Sequence, residues 1–147
     1  MTYSSDQIRW SGTKPPRGAD GGIEIPLRVA ADWQVDAAIA VGSNVGAGRW
    51  YNDTGYTLKI QTIRLGRKTT GSSGFTTIDV NMNDVTLYTT QGNRPSVRAG
   101  SDDVTSLGTA APDVTSVAPG DFLSVDIDEA EAGTPKGLRV SVLLSIG

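Results

Sequence analysis

The feature that most constrains the fold of this chain is an alternation of apolar and polar residues with a period of two. Successive side chains of a β-strand point to opposite faces, so such a segment is typical of a strand with one buried and one solvated face. The apolar sets are Val35, Ala37, Ile39 and Val41; Leu58, Ile60, Ile63 and Leu65; Ile78, Val80 and Met82; Leu123, Val125 and Ile127; and Leu138, Val140, Val142, Leu144 and Ile146. The pattern predicts an all-β chain.

Clusters of turn-forming residues separate these segments, as in residues 42–48 (GSNVGAG) and 118–121 (APGD). No segment has a helical period, and only residues 128–132 (DEAEA) could form a helical turn. Eight or so strands with one apolar face each bury those faces by closing into a sandwich or barrel. We expect residues 101–119 to cross between the sheets or over one end of them, as in a jelly roll. The prediction is a single antiparallel β-sandwich, jelly-roll-like, over residues 23–147.

Two local features refine this prediction. The apolar face shifts phase within residues 58–65, which indicates a β-bulge near Gln61 and Thr62. Residues 82–85 contain Asn83 and Asp84, which tolerate positive φ, so we expect the tight turn of a hairpin there.

Residues 1–22 are rich in glycine, proline and serine, a composition that breaks both helix and strand. We interpret them as a flexible, extended N-terminal arm. Trp10 is its one tryptophan, and it either folds back on the domain or anchors the arm in a neighbouring subunit. Trp10, Lys14 and Arg17 are the candidate contacts to a partner. The first residues lack the apolar stretch of a signal peptide, and we expect no membrane association.

The composition excludes several chemistries. The chain has neither cysteine nor histidine, which removes disulfides, thiolate metal sites and the catalytic triads that depend on histidine. We therefore expect no metal, no cofactor and no enzymatic activity. A net charge of −3 argues against nucleic-acid binding by phosphate neutralisation.

The charges are nevertheless unevenly placed. Residues 56–100 hold six basic and two acidic side chains, whereas residues 101–135 hold eight acidic and no basic ones. Either these are two solvated faces, or their opposite charges attract one copy to another or to a partner lattice.

Asp79, Asn81, Asn83 and Asp84 imitate the opening of a calcium-binding loop. Glycine and a bidentate carboxylate are missing from the positions that such a loop requires, where Asp84 and Thr90 stand instead. We prefer a strand that leads into the hairpin turn.

The acidic residues Asp126, Asp128, Glu129 and Glu131 could supply the paired carboxylates of a glycoside hydrolase. Asp126 and Asp128 fall on the solvent face of the predicted strand, where charged residues are common, so a hydrolase with Asp126 or Glu129 as the acid is a distant alternative. Five aromatic residues could form a platform for sugar rings or pack in the core. They are Trp33, Trp50, Tyr51, Tyr56 and Tyr88.

Two stretches, GFTTIDVNMNDVTLYTTQGNRPSVRAG and APGDFLSVDIDEAEAGTPKGLRVSVLLSI, resemble a β-sandwich domain common in virion proteins of tailed bacteriophages. The resemblance covers roughly residues 49–146. It departs at Asn83-Asp84, where such domains tend to have Asn-Gly, and at Glu129 and Glu131, where a small or glycine-rich link is usual.

The resemblance implies a jelly-roll-like sandwich in a virion, often as a homotrimer. Our leading expectation is a capsid decoration, or cement, protein whose arm reaches a neighbouring subunit or the major capsid protein. The alternative is a minor tail or baseplate protein that binds host glycan with Trp50, Tyr51, Tyr56 or Tyr88 exposed.

Overall fold

The computed structural model describes residues 27–46, 48–101, 105–106 and 111–146, with the backbone alone for residues 105–106. The predicted arm of residues 1–22, including Trp10, Lys14 and Arg17, lies outside the described residues, as do residues 23–26 of the predicted domain.

The described residues form ten strands and a single-turn 3-10 helix, Gln91–Asn93, with no α-helix in that part of the chain. The strands are β1 (Arg28–Ala38), β2 (Trp50–Tyr51), β3 (Leu58–Thr69), β4 (Phe75–Met82), β5 (Val85–Thr86), β6 (Ser96–Arg98), β7 (Thr105–Ser106), β8 (Ser116–Val117), β9 (Phe122–Glu129) and β10 (Lys136–Ile146).

The strands pair antiparallel in two sheets. Sheet I has the order β1-β10-β3-β7, with β8 also pairing β3, and sheet II has the order β2-β9-β4-β5, with β6 also pairing β4. The first strand lies beside the last and the second beside the last but one, which is the strand order of a jelly roll. The sandwich prediction is confirmed. Within residues 101–119 the described strands β7 and β8 belong to sheet I, whereas β6 and β9 on either side of them belong to sheet II.

The core lies between the sheets and is made by the inward residues of the long strands. Each fully buried leucine, isoleucine or valine contributes roughly 1.5–3 kcal/mol relative to an exposed one. The buried apolar residues of β3, β4, β9 and β10 are Leu58, Ile60, Ile63, Leu65, Ile78, Val80, Leu123, Val125, Ile127, Leu138, Val140, Val142 and Leu144.

The predicted bulge is present in β3. Thr62 pairs with Leu143 and Ile60 pairs with Leu144, so Gln61 has no partner in β10. This extra residue keeps the apolar residues on both sides of it directed to the core.

The predicted hairpin turn between β4 and β5 is also confirmed. Asn83 has φ 53° and Asp84 has φ 67°. Two successive positive φ angles match the twist of the flanking strands, as in a type I′ turn.

Three of the predicted faces are wrong. On the outer face of β9, expected to be solvated, Ser124 is buried and Asp126 is half-buried. The register shifts between Val35 and Ala38, so the alternation ends there: Ile39 is buried, but Ala37 and Val41 are exposed. The outer face of β4, expected to be solvated, is buried at Thr77, Asp79 and Asn81 because polar side chains from neighbouring strands cover it.

Candidate interaction surfaces

An exposed cluster of one cation and two aromatic rings lies where β2 forms the edge of sheet II. Tyr51 and Phe122 are cross-strand partners with ring centroids 5.6 Å apart, and Tyr51 is 48% exposed. The Arg49 guanidinium lies 4.1 Å from the Phe122 ring centroid and forms an ion pair with Asp84 at 3.2 Å. We call Arg49, Tyr51, Asp84 and Phe122 the edge patch.

Hydrogen bonds fix the backbone that carries the edge patch. The Asn83 side chain donates to Asp121 Oδ1 at 2.9 Å and accepts from the Phe122 backbone N–H at 3.1 Å. The other Asp121 oxygen accepts from the Ala118 backbone N–H at 2.8 Å. The β4–β5 turn is therefore tied to the start of β9, and the patch is held on a rigid support.

Arginine and aromatic side chains are enriched in protein–protein interfaces, where they supply a large contact area with few rotatable bonds. Phe122 is engaged on one face by Arg49, whereas Tyr51 presents much of its ring to solvent. The edge patch is therefore suited to an apolar or aromatic contact with a partner.

The structure separates the five aromatic residues that could form a sugar platform or pack in the core. Trp33 and Tyr88 are buried, and Trp50 is half-buried, which leaves Tyr51 and Tyr56 exposed. The Trp33 indole N–H donates to the Gly48 carbonyl at 2.7 Å, so this ring fastens the loop of residues 42–48 to the sandwich.

The buried outer face of sheet II is a network of polar groups. Burial raises the pKa of Asp79, and the Thr86 hydroxyl, which donates to its carboxylate at 2.7 Å, opposes that rise. Burial and the nearby Asp79 raise the pKa of Tyr88, which keeps this phenol neutral.

The acidic residues proposed for hydrolysis have structural partners. Asp126 accepts from the Asn44 backbone N–H and from the Asn81 amide, both at 2.9 Å. Glu129 accepts from the Thr77 hydroxyl at 3.1 Å, and Asp128 forms an ion pair with Arg94. No group of three or more acidic, histidine or cysteine side chains in the described part of the chain could hold a metal ion.

Sequence reasoning missed a buried ion pair at one end of the sandwich. Arg67 Nε lies 2.7 Å from Glu131 Oε2, and these side chains are 1% and 0% exposed. Arg67 Nη2 also donates to Thr70 Oγ1 at 2.8 Å and to the Arg98 carbonyl at 2.7 Å. The pair thus ties β3, β6 and the β9–β10 connection together.

Residues 128–132, which by their sequence could form a helical turn, contain no helix. Glu131 lies in the connection between β9 and β10 and is buried there. β9 runs to Glu129, Ala132 bridges to Ser73, and Glu131 Oε1 accepts from the Gly71 backbone N–H at 2.5 Å. Arg67 points to the same inward face of β3 as Ile63 and Leu65. A charged residue at an apolar position of the alternation is the sequence feature that could have indicated a buried ion pair.

The outer face of sheet I is basic. Five exposed basic side chains stand on it against Asp32 and Asp36; they are Arg28, Lys59, Arg64, Lys68 and Arg139. A groove of about 340 Å³ is lined, among the described residues, by Arg64, Gly66, Arg67, Arg139 and Ser141.

These features define the class of the domain: a jelly-roll sandwich whose notable exposed features are an aromatic edge and a charged sheet face. No helix in the part of the chain described is long and apolar enough to span a membrane.

No family model matches the chain, and no curated protein matches it significantly. A solved chain titled "Cyanophage Pam1 capsid asymmetric unit" is similar at a TM-score of 0.37 and 13% sequence identity, over 99% of this chain and 100% of that one. A likeness with a TM-score below 0.5 establishes neither a shared fold nor a shared function, so the jelly-roll assignment rests on the strand pairing.

Proposed function

We propose that this chain is a structural virion protein of a tailed bacteriophage, a capsid decoration protein that binds the outer capsid surface and stabilises the shell. It works by association and performs no catalytic step. Its partners are the major capsid protein and further copies of itself, as a homotrimer.

The observation that carries the proposal is the edge patch on a jelly-roll sandwich. The two stretches that resemble phage virion domains contribute β4 to β6 and β9 to β10, so the resemblance follows the strand framework. The patch offers a rigid exposed aromatic group beside an arginine, the kind of anchor that dominates binding energy in many interfaces.

Binding to shells assembled from the major capsid protein of the same virus tests this proposal. Tyr51→Ser removes the exposed ring from the patch, and we expect at least a tenfold loss of affinity in co-sedimentation. Tyr56→Ser is the matched control, because Tyr56 is also exposed but forms no part of the patch. Unchanged binding of Tyr51→Ser, or no binding of the wild-type protein, would contradict the proposal.

The predicted arm adds a second contact. Trp10, Lys14 and Arg17 remain its candidate contacts, and deletion of residues 1–22 is expected to leave a folded domain with reduced shell binding. Wild-type occupancy by the truncated protein would remove the arm from the mechanism.

Exposure of Tyr51 and Tyr56 favours a second candidate, a tail or baseplate protein that binds host glycan. The half-buried Trp50 beside Tyr51 is a natural fluorescent reporter. Quenching by host cell-wall polysaccharide that Tyr51→Ser abolishes would support this candidate, and no response across a glycan panel would oppose it.

The number of copies per purified particle separates the two functions. Quantitative mass spectrometry should find a simple fraction of the number of shell subunits for a decoration protein. A handful of copies would indicate the tail, and absence would end the virion proposal.

A further inference from the structure

The outer face of sheet I presents two arginines at a defined spacing. Arg64 pairs with Ser141 in the β3–β10 ladder, and Arg139 stands two residues from Ser141 on the same face. They are diagonal neighbours, which places their Cβ atoms about 7–8 Å apart. Gly66, which pairs with Arg139, contributes no side chain between them. The Ser141 hydroxyl donates to Asp32, and Arg64 and Arg139 line the groove together with Arg67, whose charge is paired with Glu131.

The outer face of sheet II presents two carboxylates, Asp128 and Glu129, whose negative charge is opposite to that of the two arginines. Thr77 pairs with Glu129 and Ile78 with Ile127, so Asp128 is an extra residue in β9. The bulge turns both acidic side chains outward, where Asp128 meets Arg94 and Glu129 meets Thr77. The end of β9 therefore carries two adjacent carboxylates, of which Asp128 is already paired with Arg94 of the same copy.

We infer that Arg64 and Arg139 of one copy bind Asp128 and Glu129 of a second copy, which joins the basic face of sheet I to the acidic end of sheet II. The two surfaces differ, so the contact is heterologous and each copy keeps one surface free for another neighbour. Such contacts generate a closed ring or an open filament. This inference deepens the self-association part of the proposed function.

A second copy fits because the molecule itself carries the complementary charge. Among the residues that the structure describes, no carboxylate forms an ion pair with Arg64 or Arg139. The strands β1, β10 and β3 have 11 or 12 residues each and together present a face on the order of 500 Å². Specific interfaces bury about 800 Å² per partner, so this face supplies more than half of one and the contact should be weak and salt-dependent.

Sedimentation velocity of the full chain tests the inference without any capsid. We expect reversible association at low salt that weakens at least tenfold in Arg64→Glu/Arg139→Glu and in Asp128→Lys/Glu129→Lys. Each double variant alone should associate more weakly than the wild type. Mixed at equal concentration they should associate again in equal proportions, because the first keeps the acidic end, the second keeps the basic face, and the two reversed surfaces are complementary as well.

The control variant Arg98→Glu/Lys136→Glu makes the same charge change as the first double variant on exposed residues that do not line the groove. It should associate as the wild type does. A monomeric wild-type protein at low salt, or a mixture that stays monomeric, would overturn the inference. Failure of shell binding alone would affect only the proposed function, because no shell is present in this measurement.

Discussion

Two arginine–carboxylate pairs of this sandwich differ mainly in their exposure to water. Arg67 and Glu131 are 1% and 0% exposed, whereas Arg94 and Asp128 are 26% and 33% exposed. Water screens the second pair and solvates either partner that loses the other. Water cannot solvate a partner that is left alone in the buried pair, so breaking that pair should cost much more stability. The same kind of ion pair therefore stabilises one end of the fold at the buried site and contributes little at the exposed site.

Breaking the buried pair should give the largest effect. Glu131→Gln keeps an acceptor for the Gly71 N–H but leaves the Arg67 charge buried without a counter-charge. We expect a loss of about 3–5 kcal/mol in the free energy of unfolding, measured by urea denaturation. Replacing both partners, in Arg67→Met/Glu131→Leu, should recover most of that loss. A loss below about 1 kcal/mol in Glu131→Gln would contradict the importance of burial.

Crowding the buried pair without changing its charges should have the next largest effect. A Cβ atom at Gly71 would lie 2.3 Å from the Ala132 carbonyl oxygen and 2.6 Å from Glu131 Cβ. Gly71→Ala must therefore displace the connection that carries Glu131, and we expect a loss of about 1–3 kcal/mol in urea denaturation. Gly92→Ala is the control, because the new Cβ would have open space around it and the free energy of unfolding should change little. Gly74→Ala is unsuitable as a control because Gly74 has a positive φ.

Breaking the exposed pair should have a small effect. Arg94→Gln removes the charge opposite Asp128, and we expect a loss of no more than about 1 kcal/mol that shrinks further in 1 M salt. Urea denaturation at two salt concentrations measures both quantities. A loss as large as that in Glu131→Gln would show that exposure does not distinguish the two pairs.

The smallest effect on stability should come from a substitution of Asp79. This carboxylate is buried, and no basic side chain among the described residues lies at hydrogen-bonding distance from it. Its pKa is raised in the folded state, so the folded protein binds the proton more tightly than the unfolded chain does. Stability from this group is present below the unfolded pKa and falls as pH rises through the folded pKa. Asp79→Asn should therefore stabilise the fold slightly at pH 7, lose this advantage near pH 3, and keep the bond from Thr86.

Thermal unfolding of Asp79→Asn and wild-type protein at several pH values checks this sign. A variant whose advantage grows as the pH falls would show that the raised pKa is not the cause.

The alternation in β3, β9 and β10 was sufficient to predict the sandwich, because each of these strands buries a row of alternating apolar residues between the sheets. It could not predict the outer face of β4, because Thr77, Asp79 and Asn81 are polar residues buried by neighbours that are distant in sequence. The Gln61 bulge was visible as a phase shift, since the extra residue stays within one strand.

The candidate surfaces were less predictable than the fold. Tyr51 stood in the sequence as one of several aromatics, and nothing local separated it from the buried Tyr88. Its pairing with Phe122 and the approach of Arg49 depend on contacts about 70 residues apart along the chain. The groove likewise requires the register of β3 against β10, which sets Arg64 beside Arg139.

The strand order also has a kinetic consequence. β10 is the last strand and lies in the middle of sheet I, between β1 and β3. Asp32 of β1 therefore meets Ser141, 109 residues later, and the first strand has no described neighbour in its sheet until the last one has been synthesised. Such distant pairings slow folding, because the entropy of closing a long loop is lost before the paired strands contribute any stabilising contact. On a ribosome, β1 would have to wait, without a described partner in its sheet, until the eleven residues of β10 have emerged, whereas β3 can first pair with β7 and β8.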